Sequence, residues 1–378
     1  MAKGLYIHIP FCDHICTYCD FPKLITKGQR HEEYIQALLQ ELKYYEQQVG
    51  FDELQSIYIG GGTPTALSVE QIQPLFDYLH EAIKMEQIVE FSIEANPENL
   101  TEEKVEYLLS QQISRFSLGV QTFHETLLKR IGRQHGSQHV EQAVATLKAH
   151  GMYNINLDLI YAIPGQTIEQ LKEDLKKAIA LDVEHISAYS LIVEEHTQLY
   201  LAYMKDQLKL TDNEIEANMY EIVIEMLAQH GYQHYEISNF AKSIPSLHNQ
   251  WYWKNEEYIG TGLGAHGYVE GTRYQNTRSI NTYIESLKKQ ELPVIESSVL
   301  SKEEKIEEEM FLGLRLMEGI NLEQISKKYS VNVEAIYQEA LEKLIQAHDL
   351  ERVGNQIRLT RQGLLMANDV FEQFLLSI

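Results

Sequence analysis

The stretch IHIPFCDHICTYCDF, residues 7–21, decides how this chain is read. It carries every cysteine of the sequence, Cys12, Cys16 and Cys19, in a C-x3-C-x2-C spacing. Three thiolates on one short loop converge on a single object, which is how a protein holds an iron-sulfur cluster or a thiophilic metal. No fourth cysteine exists, so one coordination position must be filled from outside. A 4Fe-4S cluster with one open iron is the natural occupant. Zinc held by the three thiolates with His8 or His14 is the alternative, although structural zinc sites usually take C-x2-C pairs from separate knuckles. A disulfide is disfavoured by the odd, clustered set. Residues 1–11 hold one lysine and no long apolar run, so neither a cleavable signal nor a membrane span is expected, and the expected compartment is the cytosol.

Working outward, 378 residues with 44% hydrophobic content predict two domains, or one barrel with an appendage. Lysine and arginine number 32 against 55 acidic residues, and the net charge of −23 repels nucleic acid and anionic membranes alike.

Short β-rich apolar runs alternate with helix-period segments. The runs are GLYIHI (4–9), LQSIYIG (54–60), VEFSIEA (89–95), RFSLGVQ (115–121), NINLDLI (154–160) and HISAYSLI (185–192). Between them lie stretches such as HEEYIQALLQELKYYEQQ and TIEQLKEDLKKAIA, with apolar residues at three and four spacing. Strand-helix units repeated in this way require parallel strands with right-handed crossovers. The expected domain is a barrel-like or doubly wound α/β unit over residues 1–236.

In a βα barrel the chemistry sits where strands end. The cysteine loop follows the first strand, GGGTPT (60–65) the second, and Glu94 with Asn96 the third. Gln121 ends the fourth strand, Arg133 is read on the next helical stretch, and Asp158 lies on the fifth, ahead of Pro164 and Gly165. Glycines let backbone approach a ligand and expose N–H donors, although a lone GGG also reads as a tight turn.

These residues resemble the radical S-adenosylmethionine (SAM) superfamily over residues 4 to about 236. The resemblance implies a partial (β/α)6 barrel. It also implies that Cys12, Cys16 and Cys19 hold three irons while SAM chelates the fourth. By the same resemblance Gly61, Gly62 and Thr63 meet the methionyl amino group, and Tyr18 lies near adenine. Glu94, Gln121, Arg133 and Asp158 contact ribose, sulfonium side and carboxylate, with Tyr6 near the cluster. Within the superfamily, YIHIPFCDHICTYCDF, IYIGGGTPT, SIEANP, SLGVQTF and LDLIYAIPGQT resemble the oxygen-independent coproporphyrinogen III dehydrogenase family and its haem-chaperone relatives. The dehydrogenases carry a further cysteine two places after the triad, where this chain has Asp20 and Phe21, and a long N-terminal extension, whereas here the first ligand is residue 12. Both departures favour the chaperone branch.

The stretch SLHNQWYWKNEEYIGTGLGAHGY places His248, Asn249, Tyr252 and Trp253 in the H-N-x-x-Y-W arrangement that marks the chaperone relatives. Haem needs an axial imidazole and a flat aromatic wall, so His248 is the expected haem ligand. The other reading is a cap that packs a subdomain on the barrel. His266, in the GLGAHGY turn, ranks second, and His124, His135 and His139 are expected on solvated helical faces. Residues 237–300 are expected to cover the open side of the barrel, bringing His248 near the cluster.

Residues 301–378 read as helix, turn, helix, small wing and helix, and resemble a mainly helical, winged-helix-like module. Acidic residues outnumber basic ones there, which favours docking or a lid over DNA contact. The expected function is a haem chaperone with a SAM-ligated cluster that passes haem to an apo-haemoprotein, respiratory by expectation. The runner-up is oxidative decarboxylation of coproporphyrinogen III, and a DNA-binding regulator ranks third. The resemblance also implies a homodimer.

Overall fold

Six parallel strands, β1 Gly4–Ile9, β2 Ser56–Gly61, β3 Glu90–Ala95, β4 Arg115–Gln121, β5 Ile155–Tyr161 and β6 His185–Ser190, carry the expected (β/α)6 unit in the computed structural model, which describes residues 1–376. They pair in chain order, and helices His31–Gln48, Val69–Ala82, Glu102–Ser110, Ser137–Ala149 and Ile168–Ala180 cross between them. One phase of each strand is apolar: Leu5, Ile7, Ile57, Ile59, Phe91, Ile93, Phe116, Leu118, Ile155 and Leu157 are buried against these helices. Ser68 and Thr167 open two of the helices with capping boxes, so the turn after a strand end is locally specified.

The opposite phase is polar, and its members meet inside the barrel. Tyr58 donates to Glu94, Ser117 to Asp158, and Asn156 to Ser117, while His185 Nδ1 lies 2.6 Å from Asn156 Oδ1. A barrel interior lined this way must have every group satisfied or turned to a ligand.

Residues 237–300 do not lie over the open side as expected. They lengthen the sheet instead, because the outer edges of β1 and β6 present unpaired backbone. On the far side β7 Gln233–Glu236 and β8 Asn239–Ala241 follow, β8 running antiparallel to β6. On the near side β9 Tyr258–Thr261 pairs parallel with β1, Gly4 opposite Tyr258. An antiparallel meander of β10 His266–Val269, β11 Thr272–Asn276 and β12 Val294–Val299 completes a 12-stranded sheet. A side chain at Gly260 would stand 1.8 Å from the His266 carbonyl oxygen, so only glycine lets the chain fold back so closely there.

The C-terminal helices Lys302–Gly313, Leu322–Tyr329 and Gln338–Gln346 pack with a small sheet of Ile320–Asn321, Leu350–Val353 and Gln356–Leu359. Their core of Ile306, Met310, Leu314, Ile325, Leu344, Ile357 and Phe374 is separate from that of the barrel. This is the winged-helix-like arrangement, and residues 377 and 378 of it lie outside the described residues. Arg273 joins the two cores through a two-pronged ion pair with Glu308, and the Arg315 guanidinium lies 4.2 Å above the Trp253 ring. Among the described residues, no helix is long and apolar enough to cross a membrane.

Candidate cluster and cofactor site

The loop after β1 is closed by a short parallel pairing of Phe11–Cys12 with Leu24–Ile25. Cys12 is buried, Cys16 and Cys19 are half-buried, and all three are free thiols. Thr63 Oγ1 points at Cys12 Sγ from 3.7 Å. Burial pushes the Cys12 thiol up to about 11 and raises Cys19 as well, a cost that disappears when the thiolate binds iron.

The buried His8 is not a free fourth ligand for zinc, because it is committed: its Nε2 lies 2.7 Å from the Pro22 carbonyl and its Nδ1 2.9 Å from Tyr6 Oη. Burial holds His8 down to about 4, hence neutral.

The glycine run is close approach more than turn. A Cβ at Gly62 would stand 2.9 Å from Cys12 Sγ and 2.7 Å from the Pro10 carbonyl carbon, and one at Gly61, where φ is +115°, 2.5 Å from the His8 ring. Backbone thereby lies against the cysteine loop with its polar groups available.

Behind this cradle the strand ends converge. Glu94 accepts from Tyr58 Oη at 2.8 Å and from the Gly61 amide at 2.9 Å, and burial pushes it up to about 7. Asn96 donates to Thr63 at 3.2 Å and accepts from Arg133 Nη1 at 2.6 Å, while Arg133 Nη2 reaches Tyr18 Oη at 3.4 Å. Gln121 ends β4 at φ 65° and comes beside Arg133 over Gly119, where a Cβ would meet Arg133 Nη2 at 2.8 Å and Gln121 Nε2 at 3.0 Å. Asp158 sits one strand further on, accepting from Ser117 and Asn156. Arg133 is in the loop between helices Glu125–Arg130 and Ser137–Ala149, not on the helical stretch read for it, because Gly132 and Gly136 flank it. Its Nε is buried with no partner. An unpaired guanidinium N–H beside a glycine cradle fits the carboxylate of an amino-acid-like ligand such as SAM.

Sequence reading missed Tyr58, Ser117, Asn156 and His185, which line the same interior. The polar phase of the strand alternation was the signal that marks them.

The H-N-x-x-Y-W helix, Leu247–Trp253, lands elsewhere. Glu90 accepts from Ser246 Oγ and from the amides of Leu247 and His248, anchoring this helix at the start of β3. His248 is 1% exposed, its Nδ1 2.8 Å from Ser56 Oγ and its Nε2 2.8 Å from Tyr252 Oη, and its ring stacks on Tyr58. Gly4 and Ser56, which it touches, are the first residues of β1 and β2, whereas the cysteines follow the other end of β1. A six-residue strand spans roughly 16 Å at ~3.3 Å per residue. His248 therefore corks the strand-start end of the barrel, away from the cluster loop and not near it as expected, and it presents neither nitrogen to a haem iron. His135 is a second departure: it is buried, with Nε2 2.9 Å from the Val120 carbonyl, not solvated.

Tyr252 of the motif reaches an opening. It helps line a cleft of about 310 Å³ with Tyr6, Phe21, Tyr258, His266 and Arg278.

Residues 6–178 match the family model described as the Radical SAM superfamily, and residues 300–366 that of the HemN C-terminal domain. The solved structure of coproporphyrinogen III oxidase (HemN) from Escherichia coli shares the fold, with a TM-score of 0.86 over 99% of this chain and 90% of that one at 22% identity. Fold and site define a radical SAM protein, a class that works with SAM and a 4Fe-4S cluster. The chain is 43% identical to the heme chaperone HemW of Lactococcus lactis, over 99% of this chain and 98% of that protein. It is 42% identical to HemW of Bacillus subtilis, over 99% of each, and 32% identical to HemW of Escherichia coli, over 98% of each. It belongs to the HemW haem-chaperone family.

Proposed function

We propose that this chain binds haem, carries a SAM-ligated 4Fe-4S cluster at Cys12, Cys16 and Cys19, and hands the haem to an apo-haemoprotein. The observation that carries the reading is kinship at 42–43% identity over 99% of the chain with proteins named heme chaperones, against a likeness to the oxidase that is one of fold. Cluster and SAM, when bound, supply one-electron chemistry.

The chain's own residues divide the work. Gly61, Gly62 and Thr63 receive the amino group of SAM, and Arg133, through its unpartnered Nε, the carboxylate. Tyr18 lies along adenine, Gln121 and Asp158 reach the ribose and sulfonium side, Glu94 holds the Gly61 amide in place, and Tyr6 steadies His8 behind the cluster. The C-terminal unit serves as a docking face or lid. Three free thiols on one loop suit a reducing compartment such as the cytosol. The acceptor we favour is a respiratory haemoprotein, and the working form a homodimer.

The test is one anaerobic preparation. Reconstitution yields about four irons per chain with a broad visible absorption, and hemin then binds at one equivalent. The second reading, oxidative decarboxylation of coproporphyrinogen III, is favoured by the shared fold and the retained cofactor pocket. Incubation with that substrate, SAM and a reductant separates the two: stoichiometric product overturns the chaperone reading.

A further inference from the structure

We infer that His185, held by Tyr235, is a positioning residue: it sets the amide of Asn156, which in turn presents the Asp158 carboxylate to the ribose hydroxyls of SAM. The inference rests on the reading that Asp158 reaches the ribose, and it names what holds that carboxylate in place.

The direction of every hydrogen bond in this set can be worked out from its partners. A carboxylate only accepts, so Asp158 takes the Ser117 hydroxyl on Oδ2 at 2.8 Å and Asn156 Nδ2 on Oδ1 at 2.8 Å. Asn156 Nδ2 also donates to Ser117 Oγ at 2.7 Å. Both amide hydrogens of Asn156 are thereby spent toward β4 and Asp158, and its Oδ1 faces β6. There it accepts from the Ser187 hydroxyl at 3.1 Å and from His185 Nδ1 at 2.6 Å, which places the His185 proton on Nδ1. Burial, then Arg115, keeps this imidazole neutral, so Nε2 is a bare acceptor and the Tyr235 hydroxyl donates to it at 2.8 Å. Tyr235 is fastened twice: its hydroxyl oxygen accepts from the Ser246 amide at 3.2 Å, and its carbonyl from the Met317 amide of the C-terminal unit at 3.0 Å.

The proton on Nδ1 is what matters. With the proton on Nε2 instead, Nδ1 would accept, Asn156 would turn its amide round, and Oδ1 would stand against the Asp158 carboxylate, acceptor facing acceptor. The Ser246 amide prevents this by occupying the Tyr235 oxygen and leaving its hydrogen for His185. His185, Asn156, Ser117 and Ser187 are all buried, whereas Asp158 is half-buried. Asp158 is two residues beyond Asn156 on β5, on the same face and nearer the strand end where the cofactor pocket lies. A carboxylate has about four acceptor sites. Two are filled from within the barrel, and the pair left over matches the two hydroxyl donors of a ribose. Packing alone would be met by an apolar interior at less desolvation cost, and a fully satisfied polar chain instead specifies one arrangement.

The experiment measures dissociation constants of SAM and of its 2′-deoxy and 3′-deoxy ribose analogues by anaerobic equilibrium dialysis against the full-length, cluster-loaded parent and variants. Iron content, visible absorption and far-UV circular dichroism check the cluster and the fold. The parent holds SAM at least about tenfold more tightly than one or both analogues. His185→Leu keeps its iron but binds SAM about tenfold more weakly, and the analogues nearly as well as SAM. His185→Asn, whose amide replaces the Nδ1–H donor, restores the preference. Tyr235→Phe, which frees the tautomer, lowers it severalfold. The inference is overturned if a folded, iron-loaded His185→Leu keeps the parental preference, or if His185→Asn loses it as fully as His185→Leu does. Should His185→Leu fail to fold, Tyr235→Phe decides, and a parental preference there overturns the inference. A parent with no preference, or an Asp158→Ala variant that keeps it, strikes the ribose reading of Asp158 itself, a distinct result.

Discussion

The cysteine loop and the H-N-x-x-Y-W helix are both short, readable motifs, yet they stand in opposite relations to the fold. The loop keeps its three thiols free and its neighbours glycine, so its side chains await a ligand. The helix spends three of the side chains that mark it on the fold: His248 bonds to Ser56 and Tyr252, and Trp253 lies under Arg315 of the C-terminal unit. One motif is a site and the other a keystone, and residue type alone does not separate them.

The contrast is broken most directly at its strong end. Cys16→Ser is expected to abolish the visible absorption and reduce reconstituted iron from about four per chain to a small residue. Unfolding of the cluster-free protein should move by less than about 0.5 kcal/mol, since the residue is only half-buried. Equal losses of iron and stability would make the loop a keystone too.

His248→Ala should do the reverse. It strands the Ser56 and Tyr252 hydroxyls and opens a cavity against Tyr58, at a cost of about 3 kcal/mol in urea unfolding, with cluster iron unchanged.

Titration sharpens the same point. Burial, then Arg115, hold His248 down to about 3 from the ordinary 6.5. Between those values the unfolded chain takes up a proton that the folded chain refuses, so this residue's contribution is whole above pH 6.5 and lost as pH falls toward 3. His8 and His185 act in the same direction, while Glu41 and Glu94, both pushed up to about 7 by burial, act in the opposite one. The parent curve is thus a sum. The stability difference between parent and His248→Gln should shrink steadily from pH 7 to pH 4, and a difference flat with pH would mean the imidazole is not held neutral.

Smaller still, Tyr252→Phe removes one hydroxyl from His248 and should cost about 1 kcal/mol. Arg273→Ala should cost about 1 kcal/mol as well, read as earlier protease cleavage after the barrel, because its pair with Glu308 is partly solvated.

Much of the barrel was legible because its signals are local. Each apolar run from GLYIHI to HISAYSLI became a strand within a few residues, since alternation is written in the run itself. The cofactor pocket was legible through strand-end punctuation, although Arg133 moved from helix to loop between two glycines. The sheet extension was not legible. The strand VIESSV is mostly exposed and has no apolar phase, and β9 is short and set by its partner. His135 looked solvated because a histidine beside glycine carries no mark of the carbonyl it will meet.

By itself, then, the sequence determined the cluster loop and the order of the parallel strands, because donor spacing and side-chain alternation act over a few neighbouring residues. Only the tertiary structure decided which end of the barrel His248 occupies and which histidine faces an opening. Those outcomes follow from β1 pairing with β9, Gly4 against Tyr258, a contact whose partners the chain brings together only by folding.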